Sequence, residues 1–338
     1  MFYWSRSFPI VYLDACKPNH LPKTKWYYVI VLLFSVIIST RNRPALLGRV
    51  IGTILQNTSA IPSLDQFIII DSSKSVESEE VVSFYREKLP IQFVMAATSA
   101  TLPQKRNLAI EFLTGRSEVV FFLDDDVELD ANFFENCLAS FVDSKVIGVG
   151  GRDINKSVKP SKRWQHFFNL TSAQQGVILP SGQNVEYVNS KEDMKVEWIS
   201  GCVMAFRTSL LKQIKFDENR HFDGEDVDFT YRASKFGILL CSPNAKYQHS
   251  SSLISLPNKN HRIRDLIAHR FMLVLDSDGK VRFWPTFVSI LVLGFVMFVK
   301  GLLKGDRSLT YLGVKHIVLG SLSPFYVLYL LKKRLRSS

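Results

Sequence analysis

Three features of the sequence predict an α/β protein with a Rossmann-like, mainly parallel sheet, followed by a C-terminal pair of hydrophobic membrane-associated helices. Short apolar, β-branched runs alternate with amphipathic segments through the first 150 residues, the pattern of βαβ units covered on both faces. Hydroxyl and acidic residues end several of those runs. The two longest uncharged apolar runs fall near the C-terminus, where the basic excess is also concentrated.

Residues 1–33 read as a proline-interrupted leader. Trp26 to Ile38 is broken only by Ser35 and could be taken for a signal-peptide core, but it is short for a span and no small-x-small cleavage site follows. Its end, Ser35 to Thr40, is β-branched and runs into Arg41-Asn-Arg-Pro44, so Val36 to Ser39 is read as a buried strand. Helix is then expected over Leu46 to Leu55, Glu77 to Lys88, Gln104 to Leu113 and Asn132 to Phe141. Strand is expected over Gln66 to Asp71, Ile91 to Met95, Glu118 to Asp124 and Val146 to Gly150. Residues 152–195 are polar and aromatic with weak periodicity, an insertion over the site. Val196 to Arg207 is another strand region, Phe222 to Asp226 opens a helix to Phe236, and two short strands follow at Ile238 to Cys241 and Ala245 to His249. Ligands of such sheets bind at the carboxyl ends of the strands, so Thr40-Arg41, Asp71-Ser72 and Asp124-Asp125-Asp126 should converge.

The net charge of +11 is unevenly placed: residues 1–256 carry +1 and residues 257–338 carry +10. Basicity confined to the apolar tail fits an anionic membrane surface and argues against nucleic acid as a partner. The four cysteines form no CxxC pair, which indicates reduced thiols in a cytosolic compartment.

Three adjacent carboxylates at a sheet edge repel one another unless a cation is present, and a hard divalent ion such as Mg²⁺ or Mn²⁺ suits Asp124 and Asp126. The competing reading is a solvated acidic turn before the next helix. Glu225 and Asp226 open a helix, where acids favour the dipole, and Asp226 is also placed to take a proton from a hydroxyl. Asp228 and Arg232, one turn apart, read as an ion pair. Lys105, Arg106 and Asn107 are either partners for phosphate oxygens or a solvated helix face. His249 is either structural or closes onto the same cation as the triplet.

Together these pieces resemble the GT-A nucleotide-sugar glycosyltransferases, specifically glycosyltransferase family 2. Ser35-Val-Ile-Ile-Ser-Thr-Arg-Asn-Arg-Pro44 is similar to the family's opening strand and loop, and Ile-Ile-Ile-Asp71-Ser-Ser to its second strand end. Gln104-Lys-Arg-Asn107 resembles its arginine-asparagine element, and Phe-Leu-Asp124-Asp-Asp126 its DXD motif. Trp198-Ile-Ser-Gly201 resembles the acceptor-side strand, and Gly224-Glu-Asp226 the element bearing the base. The resemblance implies that Thr40, Arg41, Asp71, Arg106, Asn107, Asp124 and Asp125 hold a nucleoside-diphosphate sugar. It also implies that Asp124, Asp126 and His249 hold the metal, that Trp198 and Gly201 face the acceptor, and that Asp226 with Glu225 supplies the base. Asp71-Ser-Ser and Ala100-Thr-Leu-Pro103 depart from the family pattern and bear on donor specificity.

Phe283 to Val299 is uncharged between Arg282 and Lys300, and His316 to Leu331 is free of Asp, Glu, Lys and Arg ahead of Lys332-Lys-Arg-Leu-Arg336. Each run either spans a bilayer marginally or lies in the headgroup zone. The organisation expected is a leader (1–33), a GT-A domain (34–256), a basic connector (257–282) and a hydrophobic hairpin (283–338). The expected activity is inverting, metal-dependent sugar transfer to a glycan or polyprenyl-linked acceptor at the cytoplasmic face of the cell membrane, in surface polysaccharide synthesis. The alternatives are haloacid-dehalogenase-like phosphoryl transfer, since Asp124-x-Asp126 resembles that family's nucleophile strand, and an inactive membrane-attached scaffold.

Overall fold

The structure, a computed structural model, describes residues 32–157, 160–188, 191–220, 224–250 and 259–323, with 325, 328 and 329 beyond them. The leader before residue 32, Phe222 and the Lys332 to Arg336 stretch lie outside the described residues.

The chain begins β1 (Phe34–Thr40), α1 (Pro44–Gln56), β2 (Leu64–Asp71), α2 (Glu77–Ser83), β3 (Ile91–Met95), α3 (Leu102–Glu111), β4 (Val119–Asp124) and β5 (Val127–Leu129). It continues α4 (Phe133–Ala139), β6 (Val146–Asp153), α5 (Arg163–Phe167), β7 (Met194–Val196), β8 (Val203–Arg207), α6 (Thr208–Leu211), α7 (Glu225–Ala233) and β9 (Ile238–His249). Three longer helices follow: α8 (Lys259–Asp276), α9 (Phe283–Lys304) and α10 (Arg307–Ser321). One sheet takes the order β3-β2-β1-β4-β8-β6-β9-β5, with β7 also on β9. Strands β3, β2, β1 and β4 run parallel, and β8 enters antiparallel between β4 and β6.

Alternation along the strands builds the two faces. Val36, Ile38, Phe67, Ile69, Phe121 and Leu123 pack with α1 and α4 on one side. Ile37, Ile68, Ile70, Val120 and Phe122 pack with Phe206, Phe216 and Phe229 on the other. Each such side chain removed from water contributes about 1.5–3 kcal/mol, which fixes the register because a one-residue slip would exchange the faces. Pro44 starts α1, and Thr101 with Gln104 closes a reciprocal cap on α3.

Several expected elements differ in extent. Helix α2 stops at Ser83 rather than Lys88, and the two short strands expected after α7 are one strand, β9, because β6 pairs along both of its halves. Its first half lies against β7 and its last three residues against β5. The strand region Val196 to Arg207 is broken over residues 197–202, and that break carries part of the site.

The tail is a helical hairpin. Helix α9 is long and apolar enough to cross a membrane, with a mean hydropathy of 2.3 over its most apolar stretch. The second helix begins at Arg307, upstream of the expected His316, and the residues after it are mostly outside the described set. Glycines let the two helices touch: a Cβ on Gly301 would lie 2.4 Å from Thr310 N, and one on Gly313 2.3 Å from Phe298 N. Trp284, Phe295, Leu303, Tyr311 and Val318 are exposed on the hairpin.

Candidate functional site

Strand register assembles the site. In the parallel pairs, Ser39 lies beside Asp124 and Thr40 beside Asp71, so three strand ends reach one edge together. The antiparallel strand β8 starts opposite Leu123, and the Asp124 N–H donates to the Cys202 carbonyl at 2.9 Å. Pairing of Val127 with His249 brings the end of β9 beside Asp126. The segments meeting here, around Thr40, Asp71, Asp124, Cys202 and His249, are far apart in sequence.

The three aspartates have different surroundings. Asp125 is 4% exposed, accepting from Thr40 Oγ1 at 2.7 Å and from Arg43 Nη1 at 3.0 Å. Asp126 faces His249 Nε2 at 3.1 Å and Arg43 at 3.5 Å; although burial opposes it, these partners hold the carboxyl below the usual range. The same hydrogen bond raises His249. Asp124 is pushed up to about 6, by burial first and then by Asp126 and Asp125, with Arg106 opposing. One ligand atom each from Asp124, Cys202 and His249 lies within 4.8 Å of the others. A divalent cation would relieve the burial and acid–acid repulsion that push Asp124 up beside carboxylate and imidazole donors, so the residues fit such a metal and are compatible with Mg²⁺ or Mn²⁺. Cys202 was not among the expected ligands, and only the β4–β8 register reveals it.

Asp71 is fully buried. One oxygen accepts from the Ser73 N–H and hydroxyl, while Oδ2 is buried with no partner, an acceptor waiting for a donor. Lys105, lowered to about 8 by burial, donates to the Thr40 carbonyl at 3.1 Å.

On the far side, Gly224 takes a left-handed conformation (φ 91°) ahead of α7, and any Cβ there would strike the His269 ring. Asp226 Oδ2 accepts from the Gly201 N–H at 2.7 Å and Oδ1 from the Val227 N–H at 2.8 Å. A Cβ on Gly201 would lie 3.0 Å from that of Asp226, so glycine is needed for the approach. Arg106 ties the halves together, reaching Asp124 at 3.4 Å, the Gly201 carbonyl at 3.0 Å and Glu225 at 3.1 Å. Glu225 is raised to about 8 by burial and by Asp226, against Arg106. The triplet and Asp226 therefore belong to one hydrogen-bonded network.

Several expected contacts have other occupations. The Thr40 hydroxyl donates to Asp125 and so holds the triplet in place. Arg41 is exposed, and Arg43 makes the acidic contacts instead. Asn107 pins the Phe216 backbone through both amide atoms and reaches Glu218. Trp198 is 3% exposed with its indole N–H on the Val185 carbonyl.

Two cavities adjoin the network. A cleft of about 580 Å³ is lined by Asn155, Lys156, Ser172, Gln183, Asn184 and Glu186 from the insertion, and Asn155 reaches the His249 carbonyl at 3.4 Å. A second, of about 400 Å³, is lined by Asn184, Asp226, Val227, Ile263 and Leu266.

A family model for glycosyl transferase family 2 matches residues 35–215, the span that supplies every strand end described above but that of β9. The chain belongs to this family. A search of curated proteins finds no match. Among solved structures, this glycosyltransferase is similar to a mannosyltransferase from Pyrobaculum calidifontis in complex with GDP-Man and Mn²⁺, at 14% identity and a TM-score of 0.55, covering 87% of each chain. It is also similar to residues 1–349 of S. aureus TarS in complex with UDP, at 18% identity and a TM-score of 0.50, covering 87% of this chain and 91% of that one. GalNAc-T7 with UDP, GalNAc and Mn²⁺ matches at 14% identity and a TM-score of 0.53, covering 84% of this chain and 55% of that one. These likenesses establish the GT-A fold of the glycosyltransferase. The haloacid-dehalogenase reading has no support in them, and the acidic triplet sits on the fourth strand rather than the first.

Proposed function

We propose that this glycosyltransferase moves a sugar, with inversion, from a nucleoside-diphosphate sugar to a hydroxyl of a glycan or lipid-linked acceptor at a membrane surface. The observation that carries it is the single network joining the three strand ends, the acidic triplet and Asp226. The unpartnered Asp71 Oδ2 suits an N–H of the nucleoside base, and the solved neighbours with bound GDP-Man or UDP support the donor class. Asp124, Asp126 and His249, with Cys202 beside them, would hold the divalent ion. When bound, that ion supplies positive charge to offset the charge of a departing diphosphate.

Asp226 is the base. Its two backbone N–H contacts aim the carboxylate at the cavity it lines, and Gly201 allows it close approach. Arg106 positions the Asp226 helix against the triplet, and Glu225 serves through Arg106 rather than by touching substrate. The cleft of the insertion, rich in amide and hydroxyl groups, suits the hydroxyls of a sugar. The apolar hairpin and its basic flanks support attachment to a membrane.

The test is transfer from a panel of nucleoside-diphosphate sugars with Mn²⁺ to a panel of alkyl glycosides, with the product anomer read by NMR. An inverted anomer is expected; a retained configuration, or release of inorganic phosphate without sugar dependence, overturns the reading.

A further inference from the structure

Two arginines, Arg270 on α8 and Arg220 packed against it, are both buried and very differently supplied. Arg220 is 4% exposed and Arg270 2%. Arg220 has Asp276 at 2.8 Å, Asp228 at 3.0 Å and Asp217 at 3.5 Å. Arg270 reaches the Gln183 amide oxygen and, at 3.5 Å, Ser289 Oγ; among the described residues it has no carboxylate within ion-pair distance, and its Nε has no partner. Both ring nitrogens of His316, 3% exposed on α10, are also unpartnered, and the Arg270 charge is felt there.

Burial lowers Arg270 only to about 10, so it stays charged at neutral pH. A buried charge without a counter-charge is strongly unfavourable, and fixed neutral dipoles from one amide and one hydroxyl do not replace an anion. The place is also particular. Arg270 stands where the 181–183 loop, α8, α9 and α10 meet, and Ser289 is six residues into α9, on the order of 9 Å along its axis. The buried seam there is formed by Ile263, Ile267, Phe271 and Ile290, with Phe283, Phe287 and Leu312 among those packed against it.

We propose that Arg270, with Ser289 and His316, forms an anion site for a phosphate oxyanion at the junction between the transferase and its hairpin. The guanidinium offers a fork of N–H donors and neutral His316 one more N–H, while Ser289, whose hydroxyl donates to the Thr286 carbonyl at 2.8 Å, accepts from Arg270 and steadies the fork; among the described residues no acid lies within ion-pair distance of the guanidinium to repel phosphate oxygens. Occupation supplies the missing counter-charge and locks the hairpin to the transferase. The site adjoins the insertion cleft through Gln183, but Arg270, Ser289 and His316 are none of the residues assigned to the donor.

Thermal melting of the full chain in non-ionic detergent with EDTA tests it, using inorganic pyrophosphate, phosphatidylglycerol micelles and phosphatidylcholine micelles as probes. Wild type is expected to melt higher with pyrophosphate, with phosphatidylglycerol, or with both, and not with phosphatidylcholine. Arg270→Met should melt at or above wild type without anion and lose the response, whereas Arg270→Lys keeps part of it. A response to phosphatidylglycerol alone assigns the oxyanion to a lipid headgroup; a response to pyrophosphate shows that a free phosphate also enters. If Arg270→Met does not fold, His316→Leu gives the same reading through a weakened response. An equal response in wild type and variant, or none in wild type, overturns the proposal.

Discussion

Replacing Asp226 by Asn separates chemistry from architecture. In the native site its two oxygens accept from the Gly201 and Val227 N–H groups at 2.7 and 2.8 Å. Asparagine keeps one acceptor and turns an NH₂ group on the other N–H, which costs about 1–3 kcal/mol for a donor left unsatisfied. Against this, the Asp226 charge helps to raise Glu225, and removing it relieves that repulsion. The net loss should therefore be on the order of 1–2 kcal/mol, a fall of several degrees in melting temperature. Loss of a general base lowers turnover by about 10²–10⁴-fold, equivalent to roughly 3–5 kcal/mol of barrier. The assay pairs kcat for sugar transfer with nucleotide affinity measured by calorimetry. Asp228→Asn is the control, since Asp228 pairs with Arg220 and Arg232 at 3.0 and 2.8 Å and touches no proposed ligand. It should lose stability, by about 3–5 kcal/mol, and keep turnover per folded molecule. Turnover of Asp226→Asn within tenfold of wild type, or a matching loss of nucleotide affinity, would refute the assignment of the base.

Other outcomes follow from the same geometry. Asp124 and Glu225 are raised to about 6 and about 8, chiefly by burial, so between pH 4 and 8 the folded chain holds protons that the unfolded chain has released. Stability in EDTA should therefore fall as pH rises through that window, and Mn²⁺ should stabilise more at pH 8 than at pH 5; stability that rises with pH in EDTA contradicts this. Cys202→Ala should leave Mg²⁺-supported transfer within a fewfold of wild type, because a hard cation prefers oxygen, yet weaken inhibition by Zn²⁺, as dose-response curves would show. Gly313→Leu should part the hairpin, since even a Cβ would lie 2.3 Å from the Phe298 backbone nitrogen. Limited proteolysis should then cut between α9 and α10, with nucleotide binding retained.

The sequence by itself determined the order of elements, the parallel β1–β4 half and the strand ends that carry Thr40, Asp71 and Asp124, because periodicity and turn residues are local signals. It located Asp226 at a helix start and the apolar tail for the same reason. Tertiary structure alone decided what each side chain does there. Thr40 and Asn107 also bond to Asp125 and to the Phe216 backbone, partners that lie 85 and 109 residues away and that no linear motif names. Cys202 joins Asp124 and His249 through the register of β8 and β9, and Arg270 stands unpaired because no acid of another element faces it among the described residues. Which groups share a hydrogen bond or a charge across the sheet depends on long-range packing, and one residue of slip would change every such pair.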